Sequence, residues 1–238
     1  MTFLSKKILN VGFLITIALT YRVALFCDES EDAFSKIYKH KVWGTNEEGE
    51  AHSGGGSTLS NTIVYRAFLQ NFLKEYGIKS VVDAGCGDWE FSKTIDWTGI
   101  EYTGCDVVKS VIQNNKRKYG KGNIRFLHID ATQSTLPKGE LLICKDVLQH
   151  LSNALVTKFL LNTCHFRYCL ITNDVDEKTL TADNVDIPVG SSRLIDLTKP
   201  PFNLNGSKVL TYRTSCGMKQ ILFLQNGFEK KRSLKRKS

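Results

Sequence analysis

The chain has 238 residues, of which 42% are apolar and 24% are charged. This composition supports a packed core and excludes a fully disordered chain, and the length suits one domain with additional segments at its ends. The net charge of +8 does not indicate a nucleic-acid-binding surface. Three cations in residues 1–22 and six in residues 230–237 together exceed this net charge, so the rest of the chain has no excess of positive charge.

The N-terminal segment is strongly apolar. Residues 8–27 carry a single charge, at Arg22, and are long enough to cross a bilayer as a helix. A cleaved signal peptide also fits, because Lys6 and Lys7 precede the apolar run, although no small-residue cleavage site is evident. We predict an N-terminal transmembrane helix or signal segment over residues 1–27, and a single-pass membrane protein whose orientation the flanking charges leave undetermined.

A polar, glycine-bearing segment follows over residues 28–57. Its last five residues, SGGGS at 53–57, are typical of a flexible linker, and the alternative is a backbone loop that folds over a ligand. The run is not a phosphate-binding P-loop, because no Gly-Lys-Ser/Thr sequence follows it. We predict a polar linker or lid.

Helical and strand-like patterns alternate from residue 58 onwards. A helical period ends at Gly77, and further helices are predicted around residues 90–96, 108–118 and 153–164. Five apolar runs separated by helix-length intervals argue for a parallel sheet covered on both faces. They are KSVVDAG, EYTGCDVV, IRFLHID, ELLICKDV and RYCLITND.

The end of the chain breaks this alternation. Residues 208–216 and 219–226 are joined near Gly217 by too few residues for a parallel crossover, so they are predicted to form an antiparallel hairpin. Residues 58–228 are therefore predicted to form one doubly wound α/β domain with five parallel strands and two hairpin strands. Residues 229–238 are predicted to be a basic tail.

The first strand runs into a glycine turn in the sequence VVDAGCGDWE. At this place in a parallel sheet, Gly85 and Gly87 would let the main chain approach a nucleotide-like ligand closely. A dinucleotide fingerprint needs a third glycine where this chain has Glu90, and Asp88 adds a second acid that would repel a pyrophosphate. The turn therefore indicates a ligand that is not a polyanion.

Asp83, Gly85 and Gly87 resemble the first motif of the class I S-adenosylmethionine-dependent methyltransferases. The ligand of that family carries a sulfonium and an ammonium group and no phosphate. The resemblance implies a Rossmann-like sheet of seven strands that ends with a reversed strand, which agrees with the predicted hairpin. It also implies an enzyme whose cofactor is S-adenosylmethionine.

The resemblance assigns contacts to the cofactor. It implies that Asp106, at the end of the second strand, accepts hydrogen bonds from the ribose hydroxyls, and that Asp130 meets the adenine amino group. Each acid also has a structural alternative. Asp83 ties the amides of the turn, Asp106 caps a helix, or Asp130 lies at a solvated strand end. The full implied set is Asp83, Gly85, Cys86, Gly87, Asp106, Val107, Asp130, Ala131 and Lys145.

Position 89 departs from the family. Trp89 stands where many relatives carry glycine, so its side chain either forms a wall of the methionine pocket or packs on the sheet.

Catalytic candidates lie in LLICKDVLQHLSN, which resembles the fourth strand and the turn that follows it. The candidates for a general base that takes a proton from an acceptor oxygen are Asp146 and His150, with His128 as a third. No metal site is predicted, because the seven cysteines form no pair with metal-ligand spacing. Small-RNA 2′-O-methyltransferases hold a metal here through Glu-x-x-Glu-His, but this chain has uncharged Gln149 in that motif.

The long insert before the hairpin is predicted to form the acceptor pocket. It is rich in carboxylates and amides, among them Asn173, Asp174, Asn184 and Asp186, which favours a hydroxyl-rich small molecule, glycan or glycolipid. The alternatives are a non-catalytic binding module with this fold and an RNA 2′-O-methyltransferase. The latter is disfavoured because the near-neutral centre of the chain predicts no nucleic-acid partner.

Overall fold

The structure is a computed structural model that describes residues 29–176 and 183–227. The predicted membrane segment and the basic tail lie outside these residues. Within the described part of the chain, no helix has the length and apolar character needed to cross a bilayer.

The domain is built on one seven-stranded sheet. Its strands are β1 Ser80–Ala84, β2 Glu101–Asp106, β3 Ile124–His128, β4 Leu141–Lys145, β5 Tyr168–Val175, β6 Ser207–Thr214 and β7 Gly217–Gln225. The strand order is β3-β2-β1-β4-β5-β7-β6, in which β1 to β5 are parallel and β7 runs antiparallel to both β5 and β6. The predicted parallel sheet with its antiparallel hairpin is thereby confirmed.

Four α-helices cover the sheet in the described part of the chain. Residues 29–39 are helical and are called α1. The others are α2 Ile63–Glu75, α3 Lys109–Tyr119 and α4 Asn153–Leu160. One apolar cluster packs α1 and α4 against one face of the sheet, and a second packs α2 on the other face. Phe34 and Tyr38 of α1 belong to the first cluster, so the segment after residue 28 is packed into the domain.

The predicted helix around residues 90–96 is wrong, because only a 3-10 turn at Ser92–Thr94 forms there. Trp89 has a φ of 60°, a left-handed conformation that a helix cannot continue. The apolar side chains of the segment, at Phe91, Ile95 and Trp97, are all buried without a helix. Burial therefore overrides the helical tendency of this segment.

Candidate functional site

A cleft opens at the carboxyl ends of β1, β2 and β4. The sheet order reverses between β1 and β4, and the crevice at such a switch point is the usual ligand site of an open α/β sheet. The cleft encloses about 960 Å³ when its open mouth is included. It brings together every predicted cofactor-binding and catalytic residue: Asp83, Gly85, Cys86, Gly87, Asp106, Val107, Asp130, Ala131, Lys145, Asp146 and His150.

The glycine turn after β1 has no room for side chains. Gly85 has a φ of 80°, and a Cβ atom there would lie 2.3 Å from Val147 Cγ2. Gly87 has a φ of 53°, and a Cβ atom there would lie 2.2 Å from Ser53 Oγ. Both the left-handed backbone and the close neighbours therefore require glycine.

Asp83 is buried at the floor of the cleft. Its Oδ2 accepts a hydrogen bond of 2.6 Å from the hydroxyl of Tyr102. Burial raises the pKa of this carboxyl to about 7, even though the bond from Tyr102 acts in the opposite direction. The group therefore changes charge near neutral pH.

Asp106 ties the turn to the end of β2. Its two carboxylate oxygens accept hydrogen bonds from the main-chain N–H of Gly87 at 3.0 Å and of Val108 at 2.9 Å. Burial raises the pKa of Asp106, although these two bonds oppose the effect. The residue thus has a role in shaping the turn, and its predicted contact with ribose would use the remaining lone pairs of the same oxygens.

Asp130 offers an open acceptor. Its Oδ1 accepts bonds of 2.7 Å from both the N–H and the hydroxyl of Thr132, whereas Oδ2 is buried and has no partner among the described residues. A buried carboxylate oxygen without a partner is costly, so this atom suits a donor supplied by a ligand. The amino group of adenine is such a donor.

A buried ion network lies beneath the cleft. Lys145 Nζ contacts Asp146 Oδ2 at 2.5 Å, and Lys219 Nζ from β7 lies 2.9 Å from the same oxygen. Lys219 also reaches Asp174 Oδ1 at 2.5 Å, and Lys145 donates to the main-chain oxygen of Gly56 at 2.9 Å. Lys219 was not predicted; its one sequence signal is a lysine at the start of an otherwise apolar hairpin strand.

The network does not support Asp146 as a general base. Burial acts to raise the pKa of Asp146, but Lys145 and Lys219 outweigh it, so the pKa is lowered. A carboxylate held ionised between two lysines is a poor proton acceptor at neutral pH. Its Oδ1, which is buried and has no partner among the described residues, remains available as a hydrogen-bond acceptor.

His150 has the geometry of a base. Its Nδ1 lies 2.9 Å from the main-chain oxygen of Ser191, which can only accept, so Nδ1 carries the proton and Nε2 of the neutral ring carries the lone pair. Burial lowers the pKa of His150, which keeps the ring neutral at physiological pH. The indole of Trp43 packs against the imidazole with ring centroids 5.1 Å apart.

The N-terminal segment forms one wall of the cleft. Ser53 Oγ lies 2.7 Å from the hydroxyl of Tyr38 and donates to Asp88 Oδ1 at 2.8 Å. Gly56 is held by Lys145, as described above. The SGGGS run therefore behaves as a loop folded over the ligand site, which was the second of the two interpretations of its sequence. Tyr38, Trp43 and Ser53 were not predicted as site residues, because only the folded segment places them beside the cleft.

Other candidates lie elsewhere. His128 Nε2 is 2.8 Å from the main-chain oxygen of Val107, and the residue does not line the cleft. Gln149 pairs with Asp174 in bonds of 2.9 and 2.8 Å. The indole of Trp89 packs against Tyr119 and other aromatic rings, so it is not a wall of the pocket.

The described residues of the insert do not line this cleft, so an acceptor pocket formed by the insert stays a prediction. None of residues 183–206 is part of the cleft wall. The side-chain amide of Asn184 donates to the main-chain oxygens of Asp196 and Pro200, and Arg193 donates to the main-chain oxygen of Leu151. These polar side chains shape the loop itself.

The comparisons with known proteins agree with this site. Residues 82–163 match the family model described as a methyltransferase domain. A search of the curated proteins found no match. The match covers residues 82–163, about a third of the chain, and together with the fold it confirms the predicted resemblance to the class I methyltransferases, whose cofactor is S-adenosylmethionine.

Solved structures share the fold. Magnesium protoporphyrin IX methyltransferase from Synechocystis PCC 6803, with bound S-adenosylmethionine, is 16% identical over 83% of this chain and 95% of its own, with a TM-score of 0.54. Human N-acetylserotonin methyltransferase is 14% identical over 84% of this chain and 60% of its own, with a TM-score of 0.52. The N-methyltransferase NodS from Bradyrhizobium japonicum WM9 is 14% identical over 71% and 88%, with a TM-score of 0.53. At these identities the likeness concerns the fold alone.

Replacing Lys219 with methionine tests the ion network. The change keeps the length of the side chain but leaves Asp146 and Asp174 buried without this partner, so the free energy of unfolding should fall by about 3–5 kcal/mol. Chemical denaturation measures it. Lys118→Met is the control, because the Lys118–Glu50 pair is partly exposed and should contribute at most about 1 kcal/mol. A loss at Lys219 no larger than in the control would contradict the role of the network.

The affinity for S-adenosylmethionine should depend on pH through Asp83. Below about pH 7 this carboxyl is protonated in the free protein, whereas the cationic cofactor favours the carboxylate, so binding must release a proton there. The Kd should rise by up to about tenfold for each pH unit below 7 and level off above it. Calorimetry in buffers of different ionisation enthalpy measures both quantities. The slope should disappear in Asp83→Asn; a slope that persists there would assign the proton to another group.

Proposed function

We propose that this chain, a member of the class I S-adenosylmethionine-dependent methyltransferases, transfers a methyl group to a hydroxyl oxygen of an uncharged small molecule or glycan, with His150 as the general base. The observation that carries the proposal is that His150 lines the cleft while its Nδ1 donates to the main-chain oxygen of Ser191, which leaves the lone pair of Nε2 free to accept a proton. The cofactor supplies an electrophilic methyl group when bound, so the protein needs to supply alignment and a proton acceptor.

The residues present fit the cofactor. The glycine turn gives the main chain close access to it, and Asp130 Oδ2 offers an unpaired acceptor for the adenine amino group. Asp83 would balance the positive charge of the cofactor. In the transfer itself, the acceptor oxygen would form the new bond to the methyl carbon while the bond from that carbon to the sulfonium sulfur breaks. The sulfur would keep the electron pair and leave as the neutral thioether S-adenosylhomocysteine, and the acceptor proton would pass to Nε2 of His150.

The charge of the cleft supports an uncharged acceptor. Among the described residues of the cleft wall, Lys145 is the one basic residue apart from His150, and Asp146 already pairs with it. A phosphate or carboxylate entering this cleft would meet several negative charges without a free cation. This weakens the RNA alternative. The acids of the wall are Asp83, Asp88, Glu90, Asp106, Asp130 and Asp146.

The membrane anchor over residues 1–27 also stays a proposal, supported by the apolar run of residues 8–27, in which Arg22 carries the single charge. Such an anchor would present the domain to acceptors at a membrane surface, and glycolipids are hydroxyl-rich molecules of that kind.

Ligand-induced thermal stabilisation tests the cofactor assignment. S-adenosylmethionine and S-adenosylhomocysteine should raise the Tm of the full chain, and NAD should not, because the turn repels a pyrophosphate. Asp106→Ala should lose most of the shift, measured from its own ligand-free Tm, whereas Asp96→Ala, at an acid outside the cleft, should keep it. Stabilisation by NAD alone would overturn the proposed function.

The base is tested by transfer of a labelled methyl group to cell extract separated into lipid, glycan, protein and RNA fractions. Label should enter the lipid or glycan fraction, and His150→Ala should slow transfer by about 10²–10⁴-fold with unchanged affinity for the cofactor. The wild-type rate should rise with pH to a plateau, with the midpoint of the rise below the ordinary histidine pKa, and the variant should lose that rise. The exposed His165 provides the control His165→Ala. An unchanged rate and pH profile in His150→Ala would reject the base, and label in RNA would reject the acceptor class.

A further inference from the structure

Three side chains that can bind a metal ion meet where the N-terminal segment crosses the turn after β1. They are His52, Asp88 and Glu90, and one ligand atom from each lies within 4.8 Å of the other two. Methyl transfer as described above does not use any of them.

The local fold brings the three together from two separate segments. Asp88 and Glu90 flank Trp89, whose left-handed φ of 60° and buried indole define the turn. His52 arrives from the N-terminal segment, where its main-chain N–H donates to the oxygen of Gly44 at 3.2 Å. The next N–H along the chain, that of Ser53, donates to Asp88 Oδ2, also at 3.2 Å, which locks one segment to the other.

The imidazole of His52 points to a ligand. The residue is 7% exposed, yet its ring makes no hydrogen bond with any residue in the described ranges. A largely buried imidazole that makes no hydrogen bond to the described residues has its ring nitrogens free to bind a ligand. The ring nitrogen that belongs to the cluster lies close to two carboxylates instead.

The two carboxylates are oriented but keep free lone pairs. Asp88 accepts from the N–H and the hydroxyl of Ser53 and, weakly, from the N–H of Glu90 at 3.3 Å. Such bonds to a ligating carboxylate are typical of metal sites, because they fix its direction. The cation nearest to Glu90 in the described chain is Lys93, whose Nζ is 4.0 Å from Oε2, too far for a hydrogen bond.

We propose that His52, Asp88 and Glu90 bind a divalent transition-metal ion, Zn²⁺ or Mn²⁺, with water completing its coordination. One imidazole nitrogen and two carboxylate oxygens suit these ions, whereas Mg²⁺ prefers oxygen ligands alone. The ion joins the N-terminal segment to the turn that holds the cofactor. The sequence gives no motif for this site, because His52 is distant along the chain from Asp88 and Glu90, and neither a cysteine pair nor the turn after β4 contributes a ligand.

Titration of the chelator-treated full chain with ZnCl₂ or MnCl₂, in the absence of S-adenosylmethionine, tests the site directly. We expect one ion per chain by calorimetry and a higher Tm with the ion. His52→Ala and Glu90→Gln should each weaken binding by about tenfold or more. His40→Ala, which removes an exposed histidine of the same segment, should leave the affinity unchanged.

Co²⁺ serves as a spectroscopic probe of the ligands. The proposed site predicts weak visible bands without thiolate charge transfer, which separates it from adventitious binding at the exposed Cys164 and Cys216. No binding by the wild type, thiolate bands, or equal affinity in all variants would overturn the proposal. If His52→Ala does not fold by circular dichroism, Glu90→Gln decides, because that isosteric change affects a partly exposed side chain. None of these readouts needs methyl transfer, so the proposed function can fail while the metal site stands, and the reverse also holds.

Discussion

The carboxyl edge of the sheet depends on two buried lysines, Lys145 and Lys219, and on the partly buried aspartates that pair with them. Lys219 is 1% exposed, and the burial of its charged ammonium group is favourable only because Asp146 and Asp174 both contact it. Desolvating such ions costs several kcal/mol each, so the arrangement tolerates the loss of no single partner. The network thereby connects β4, β5 and β7 at the level of the cleft floor.

The same charges position the wall of the cleft. Lys145 donates a hydrogen bond to the main-chain oxygen of Gly56. This bond holds the SGGGS loop, whose composition is typical of a flexible linker, against the sheet. A Cβ atom at Gly56 would come within 2.7 Å of Asp146 Oδ2, so the loop passes over the network at a distance that only glycine allows. The glycines of this run therefore serve close approach to buried charges, in the same way as Gly85 and Gly87 serve close approach to the ligand.

The sequence predicted most of the sheet from local patterns, whereas the residues assigned to the cofactor came from the resemblance to the methyltransferase family. Strand-length apolar runs defined β1 to β5, the short connection near Gly217 required a hairpin, and acids at strand ends marked the edge where a ligand lies. The N-terminal wall was not predictable in this way, since Trp43 and Ser53 acquire their positions from packing between distant segments. Lys219 was missed for a related reason: a lysine in a strand ordinarily faces solvent, and only the paired aspartates of β4 and β5 explain its burial.

The polar insert acts on the cleft indirectly. Its described residues do not line the wall, but they clamp the 3-10 turn Leu148–His150 through main-chain atoms: Gly190 donates to the oxygen of His150 at 2.9 Å, and Arg193 to that of Gln149 at 3.1 Å. From the other side, Trp43 packs on the imidazole. Because the oxygen of Ser191 can only accept, this clamp determines which imidazole nitrogen carries the proton. The insert therefore contributes to the proposed chemistry by fixing the tautomer of His150, and variation elsewhere in the loop is compatible with an unchanged site.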